Sequence, residues 1–271
     1  YLNQALQIRK EGKLISIISI AGTALAITMV IVMVMMQEIK IANVAPEVNR
    51  DRTLYVNWQD VKIIQYNEVV GIARSPVDYR TVKDILLPLS TPEAVTIKSQ
   101  SNAVVSVQGD KNNSSFTRAA VDESFWKVFE FSFNDRGSSF AEEFESGTKV
   151  AVISENVAKQ LFKGENALGK TININFSPYN IVGVVENVSV LCKAAYSEIW
   201  IPYKSLPSYD SDYYTCTILA NNKGDFDKIK QEVMTNQRKL NSTLTEEQID
   251  LSGPYDQATS QLEITSSAEA E

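Results

Sequence analysis

The chain has 271 residues, 44% of them hydrophobic, and 26 basic against 33 acidic side chains give a net charge of −7. That balance excludes wholesale disorder, and it argues against a nucleic-acid binder, whose affinity rests on neutralising phosphates with Lys and Arg. With no histidine and only two cysteines, Cys192 and Cys216, the chain cannot build a histidine triad, a His-type zinc site, a His pH switch or a four-Cys metal site.

Tyr1–Lys13 carries Arg9, Lys10 and Lys13 against Glu11, with Leu2, Ala5, Leu6 and Arg9 at helical spacing, the pattern of a short amphipathic helix on a membrane surface. Leu14–Met36 follows with 23 residues that include no charge, Pro, Asn or Gln. As a helix it spans about 34 Å, enough for a hydrocarbon core of roughly 30 Å. A buried core helix is the bland alternative, but soluble helices rarely stay apolar on every face for so long. Ala24-Leu25-Ala26 resembles a signal-peptide cleavage site, yet the apolar run continues ten residues beyond it, past an h-region of about 7–15. An uncleaved anchor fits better. The basic flank puts residues 1–13 in the cytoplasm and everything after about Gln37 outside. Inside lies a net charge of +2, which leaves −9 outside. Gly22 and Ala26 form a small-xxx-small pair, a weak signal for helix packing.

Beyond the span, strand and helix patterns alternate. Thr53–Trp58 is β-rich, and Asp78–Leu87 has Tyr79, Val82, Ile85 and Leu86 at helical spacing before Pro88. Ala94–Lys98 and Ala103–Gln108 read as strands, 109–113 as a turn and Ser115–Val121 as the returning hairpin strand. Asp122–Phe129 reads as a short helix capped by Asp122 or Ser124. Lys149–Ile153 is a strand, and Ser154 caps a helix through Phe162. Thr171–Phe176 and Tyr179–Glu186 suit a hairpin turning at Ser177-Pro178. Glu198–Ile201 and Tyr213–Ala220 are further strands. A helix from Gly224-Asp225 to Leu240 buries Phe226, Ile229, Val233 and Leu240. The polar tail 253–271 reads as frayed.

Gly164–Thr171 (GENALGKT) matches the phosphate-loop pattern G-x-x-x-x-G-K-[ST] at every position. That motif needs a strand before the loop and a helix after it. Here the helix comes first and the strand leaves, so the segment reads as a helix-to-strand turn. Glu142, Glu143 and Glu145, and Asp210 with Asp212, lack calcium-loop spacing and read as solvated charge. Asn112-Asn113-Ser114-Ser115 and Asn241-Ser242-Thr243 fit glycosylation patterns. Cys192 and Cys216 can form one bridge or stay free. No catalytic, cofactor-binding or metal-binding residue is assigned, and no cofactor is expected.

Several segments, taken in order, resemble MacB-type and FtsX-like ABC transporter permeases. Arg9-Lys10 and Lys13-Leu14, then Ser16-Ile17-Ile18 and Gly22, look like that family's entrance into its first membrane helix. Asn49–Val56 resembles its opening periplasmic strand, and Val121–Phe131 (VDESFWKVFEF) its Phe-rich helix. The most specific block is Val150–Val188, with VAVISENVAKQLF, ENALGKTI and YNIVGVVENV. Ala167 stands where the family commonly has Pro. The family continues into three further membrane helices, so the chain is either cut before them or a reduced relative.

The resemblance implies an α/β (α+β), two-lobed extracytoplasmic domain behind one transmembrane helix. Residues 1–13 are then a cytoplasmic segment, 14–36 the span and 37–252 a MacB-like periplasmic core. Its membrane-near lobe covers about 53–107 and 197–240, and its inserted lobe about 108–188. It also implies a permease-type subunit of the bacterial inner membrane, mostly periplasmic, which transmits ATPase-driven change for export or extraction of substrate. The implied partners are an ABC ATPase that hydrolyses ATP separately, a second copy or homologous permease, a periplasmic adaptor or lipoprotein, and the bilayer. A membrane-anchored sensor ectodomain for a small ligand is the alternative. An anchored enzyme is disfavoured.

Overall fold

The computed structural model describes residues 2–66, 68–107, 113–136 and 140–268, and gives the backbone alone for 2–16, 37, 40, 135–136 and 263–268. Residues 109–112 of the turn expected at 109–113 lie outside these residues. The chain divides into two units, Tyr1–Ala42 and Asn43–Glu271. The first is helix α1 (Leu2–Ile41), whose stretch Ile17–Met36 is long and apolar enough to cross a membrane and is exposed throughout. Two of its hydroxyls bond within the helix: Thr23 Oγ1 donates to the Ser19 carbonyl and Thr28 Oγ1 to that of Ala24, each at 2.8 Å. The helix runs five residues past Met36, so Gln37–Ile41 belongs to it rather than to a linker.

The second unit comprises β1 (Thr53–Val56), β2 (Trp58–Gln65), β3 (Glu68–Asp78), α2 (Tyr79–Thr81, widening into a π turn over Val82–Leu86), β4 (Ala94–Val107), β5 (Ser114–Val121), α3 (Phe125–Val128), β6 (Phe133–Arg136), α4 (Ala141–Ser146), β7 (Val150–Ser154), α5 (Glu155–Phe162), β8 (Thr171–Ile174), β9 (Ser177–Val185), β10 (Ile199–Pro202), β11 (Tyr213–Leu219), α6 (Phe226–Asn241), β12 (Glu247–Ser252), β13 (Tyr255–Asp256) and α7 (Gln257–Ala268). The strands bond in the order β12-β2-β3-β11-β4-β5-β10-β7-β9-β6, while β1 bonds β11 and β13, and β8 bonds β4 and β9. Only β5–β10 and β7–β9 are parallel among these pairs. Both β7 and β10 are buried along their whole length, as central strands covered on two faces must be.

Alternation along β10 separates two cores. Ile199 and Ile201 join Leu54, Ile97, Ile218 and Ile229 on one face, whereas Trp200 joins Phe125, Phe144 and Val152 on the other. The first core also takes in Ile172, Tyr179 and Ile181, so residues from 53–107, 197–240 and 108–188 share it. The 14-residue β4 links them further, pairing with β11 at its start, β5 along its middle and β8 at its end. α6 buries Phe226, Ile229, Val233 and Leu240, as the spacing predicts. α5 begins where expected, the Val157 amide donating to Ser154 Oγ at 3.4 Å.

Several boundaries differ from the sequence reading. The two strands expected within 94–108 are one continuous β4, and the β2–β3 hairpin and β12 carried no expectation. The β8–β9 hairpin turns at Asn175-Phe176, both at positive φ (45° and 66°), while Pro178 lies within β9 opposite Asn173. The tail is not frayed across 253–262. Gly253, at φ +113°, reverses the chain so that Tyr255 pairs with Tyr55, and Gln257 and Ser260 are buried.

Neither Asp122 nor Ser124 caps α3 through its side chain. The Asp122 carboxylate instead accepts from Thr96 Oγ1 and from the Ile97 amide at 3.2 Å. Burial pushes its pKa up to about 6. Because the folded value exceeds the unfolded one, this carboxyl supports the fold most fully below pH ~4, and that support is lost as pH rises through about 6. Asp122→Asn keeps the accepting oxygen without the charge. It is expected to raise stability at pH 7.5 by roughly 2–3 kcal/mol and to flatten the profile between pH 4 and 7. Urea midpoints of both proteins at pH 5 and 7.5 test this; parallel profiles would contradict it.

Candidate functional site

The strands β1, β4 and β11 send Leu54, Val56, Ile97, Cys216 and Ile218 into the first core. The alternating residues Tyr55, Lys98, Thr215 and Thr217 face the other way and line a cavity of about 480 Å³. Glu47, Trp58, Pro76, residues 193–194, and Gln257 and Ser260 at the start of α7 also contribute to its walls. The folded-back tail therefore builds part of this site.

A buried polar network supports the cavity. The Glu47 carboxylate accepts from Arg50 Nε at 2.7 Å and from the Ala195 amide at 2.9 Å, and Arg50 Nη2 donates to the Leu191 carbonyl at 3.2 Å. Both charged residues are almost wholly buried, at 3% and 2% exposure. Lys98 Nζ donates to the carbonyls of Lys193 at 2.6 Å and Tyr196 at 3.4 Å. Desolvation lowers its pKa to about 8, against the opposing pull of Glu47. Ser99 Oγ donates to Asp212 Oδ2 at 2.7 Å, and Asn57 Nδ2 to Ser260 Oγ at 3.1 Å. These groups can hold and orient a small polar molecule.

The Gly164–Thr171 loop is built for a turn. Four of its amides are engaged within the fold: Glu165 N donates to Phe162 O, Leu168 N to Asn166 Oδ1, Gly169 N to Ile181 O and Lys170 N to Ala167 O, at 2.8–3.1 Å. Lys170 Nζ pairs with Glu165 Oε2 at 2.5 Å and lies 4.8 Å from the Phe162 ring centre. The loop leaves α5 and enters β8, so no helix N-terminus follows it.

Glu142, Glu143 and Glu145 lie on α4 around the buried Phe144, and Asp212 is engaged by Ser99. No group of three or more metal-ligating side chains converges among the described residues. Asn241 uses both ends of its amide on Ile249, at 2.9 Å each, and so clamps β12 to α6. Cys192 and Cys216 are free and buried, which settles the alternative left open by sequence.

The profile of the MacB-like periplasmic core domain matches residues 16–235. The chain belongs to this family. Among curated relatives, the ABC transporter permease YknZ of Bacillus subtilis is 29% identical over 101 residues, 36% of this chain. The macrolide export ATP-binding/permease protein MacB of Aggregatibacter actinomycetemcomitans is 26% identical over 95 residues, 35% of this chain. The matches cover 25% and 15% of those relatives' own lengths. Among solved structures, the YknZ extracellular domain from Gram-positive bacteria has TM-score 0.52 at 16% identity, covering 72% of this chain and all of that one. The periplasmic region of MacB from Actinobacillus actinomycetemcomitans has TM-score 0.53 at 15% identity, covering 77% and 92%. A domain of a Porphyromonas gingivalis permease has TM-score 0.56 at 14% identity, covering 76% and 91%. The chain is thus a permease-like MacB periplasmic domain of mixed α/β fold behind one apolar N-terminal helix.

Proposed function

We propose that this chain is a permease-type subunit, or part of one, that passes ATPase-driven movement across the bacterial inner membrane to its periplasmic domain for export or extraction of substrate. The family match carries this reading: it begins inside the apolar helix and runs through most of the folded domain. Helix α1 ends at Ile41 and the second unit begins at Asn43. Residues 1–13 lie on the cytoplasmic side in this reading, where an ABC ATPase hydrolyses ATP. A second permease copy completes the transporter. The stretches 53–107 and 197–240 act as the membrane-near lobe and 108–188 as the inserted one.

The exposed apolar residues Tyr66, Val69, Val70 and Ile72 on the β2–β3 hairpin suit docking of a periplasmic adaptor or lipoprotein. A sensor ectodomain is the second reading, and the cavity beside Lys98 favours it.

A flexible Gly-Ser insertion after Ala42 separates the two. Because Gln37–Ile41 is helical, the insertion goes after Ala42. A mechanical transmitter is expected to lose most transport or extraction activity in cells while the domain keeps its circular dichroism and melting temperature. Full activity with the ATPase partner would overturn the mechanical reading.

A further inference from the structure

The cavity between β1, β4, β11 and the start of α7 contains a buried cation that makes no direct ion pair among the described residues, with Glu47 acting on it only from further off. An ammonium has three donors. Lys98 Nζ spends two on carbonyl oxygens, and among the described residues no carboxylate lies within ion-pair distance of it. The neighbouring acids hold other hydrogen-bond donors. Glu47 accepts from Arg50 and Ala195, and Asp212 accepts from Ser99 and from the Tyr213 amide at 2.9 Å. Burying a cation without an anion is costly, and an anion arriving from outside would offset that cost.

The rest of the cavity suits an amphipathic guest. Tyr55, Trp58 and Pro76 offer apolar surface, and the Trp58 indole N–H is buried without an acceptor among the described residues. The volume of about 480 Å³ falls within the roughly 300–1,000 Å³ of small-molecule sites.

We infer that this cavity binds a small organic anion, a carboxylate or phosphate monoester on an aromatic or otherwise apolar body, with its acidic group at Lys98 Nζ. Nothing in this depends on the transmitting role. Loss of binding leaves the linker experiment untouched, and a failed linker experiment leaves the cavity untouched.

The test is calorimetric titration of the full chain in detergent, with micelle heats subtracted, using 2-naphthoate, 2-naphthyl phosphate and the neutral 2-naphthalenemethanol. One saturable site is expected for at least one acid, and whichever acid binds tighter assigns the head group. The alcohol should bind at least about tenfold more weakly, as loss of a charged hydrogen bond dictates. Lys98→Met should weaken the acid by a similar factor and leave the alcohol unchanged. Thr215→Trp, which fills the cavity from β11, should weaken acid and alcohol alike, with circular dichroism confirming the fold. The inference is overturned by no saturable acid binding to the unmodified chain, by an acid that binds no tighter than the alcohol, or by unchanged binding to a folded Thr215→Trp. The comparison of acid with alcohol needs no variant, so it decides even if Lys98→Met fails to fold.

Discussion

Glu47→Ala is expected to lower the stability of the second unit by about 3–5 kcal/mol, the usual effect of removing one member of a buried ion pair. The reason is what would remain. Arg50 would lose the 2.7 Å contact with its carboxylate while still surrounded by protein, and the Ala195 amide would lose its acceptor. The damage should also reach the cavity. Glu47 and Arg50 together hold Leu191 and Ala195, and the same stretch supplies the Lys193 and Tyr196 carbonyls that bind Lys98. Glu47→Gln retains an accepting oxygen and should lose less. Urea denaturation followed by tryptophan fluorescence gives both values, and a loss under about 1 kcal/mol for Glu47→Ala would mean the pair adds little beyond its own desolvation.

Trp200→Ala should also cost about 3–5 kcal/mol, here through lost burial and the cavity left behind. Trp200 is fully buried at the centre of the second core, opposite Ala119 on β5 and Val152 on β7. Its ring meets Phe131 at 5.3 Å and Trp126 at 6.3 Å, both edge-on. Its indole N–H donates to the Ala195 carbonyl at 3.2 Å. The Ala195 backbone is therefore held on both sides of its Cα, its amide by Glu47 and its carbonyl by Trp200. That shared partner makes a second measurement decisive. The double variant should depart from additivity by about 0.5 kcal/mol or more, whereas independent sites add. Trp200→Ala should also strip much of the near-ultraviolet circular dichroism, since the ring sits among fixed aromatics. An intact spectrum with a loss below about 1 kcal/mol would show that this core repacks.

Some of this was legible in the sequence because its causes are local. The apolar run within 14–36 needs no partner to declare itself. Ser154 marks the start of α5 through its own hydroxyl, and α6 carries its buried face at helical spacing. The order of elements around Gly164–Thr171, helix before and strand after, was enough to read that loop as a turn. Turn chemistry was harder. Ser177-Pro178 looks like a turn, but Asn175 and Phe176 take the left-handed conformations and Pro178 stays in the strand.

The site was different. Thr96, Lys98 and Gln100 recur at every second place along β4, which was the available signal that one face of this strand is polar. Nothing local says that the polar face is enclosed. Burial of Lys98 depends on Glu47 and on residues 193–196, and its cover depends on Gln257 and Ser260 arriving on a tail whose composition reads as frayed. The sequence by itself determined the apolar helix, the helices α5 and α6, several of the strands, and the family, because periodicity, caps and block order act over a few residues at a time. Only the tertiary structure decided which charges are buried, which acid answers which base, and that a cavity exists at all. Desolvation and ion pairing are set by whatever the fold brings within a few ångströms, and those neighbours come from opposite ends of the chain.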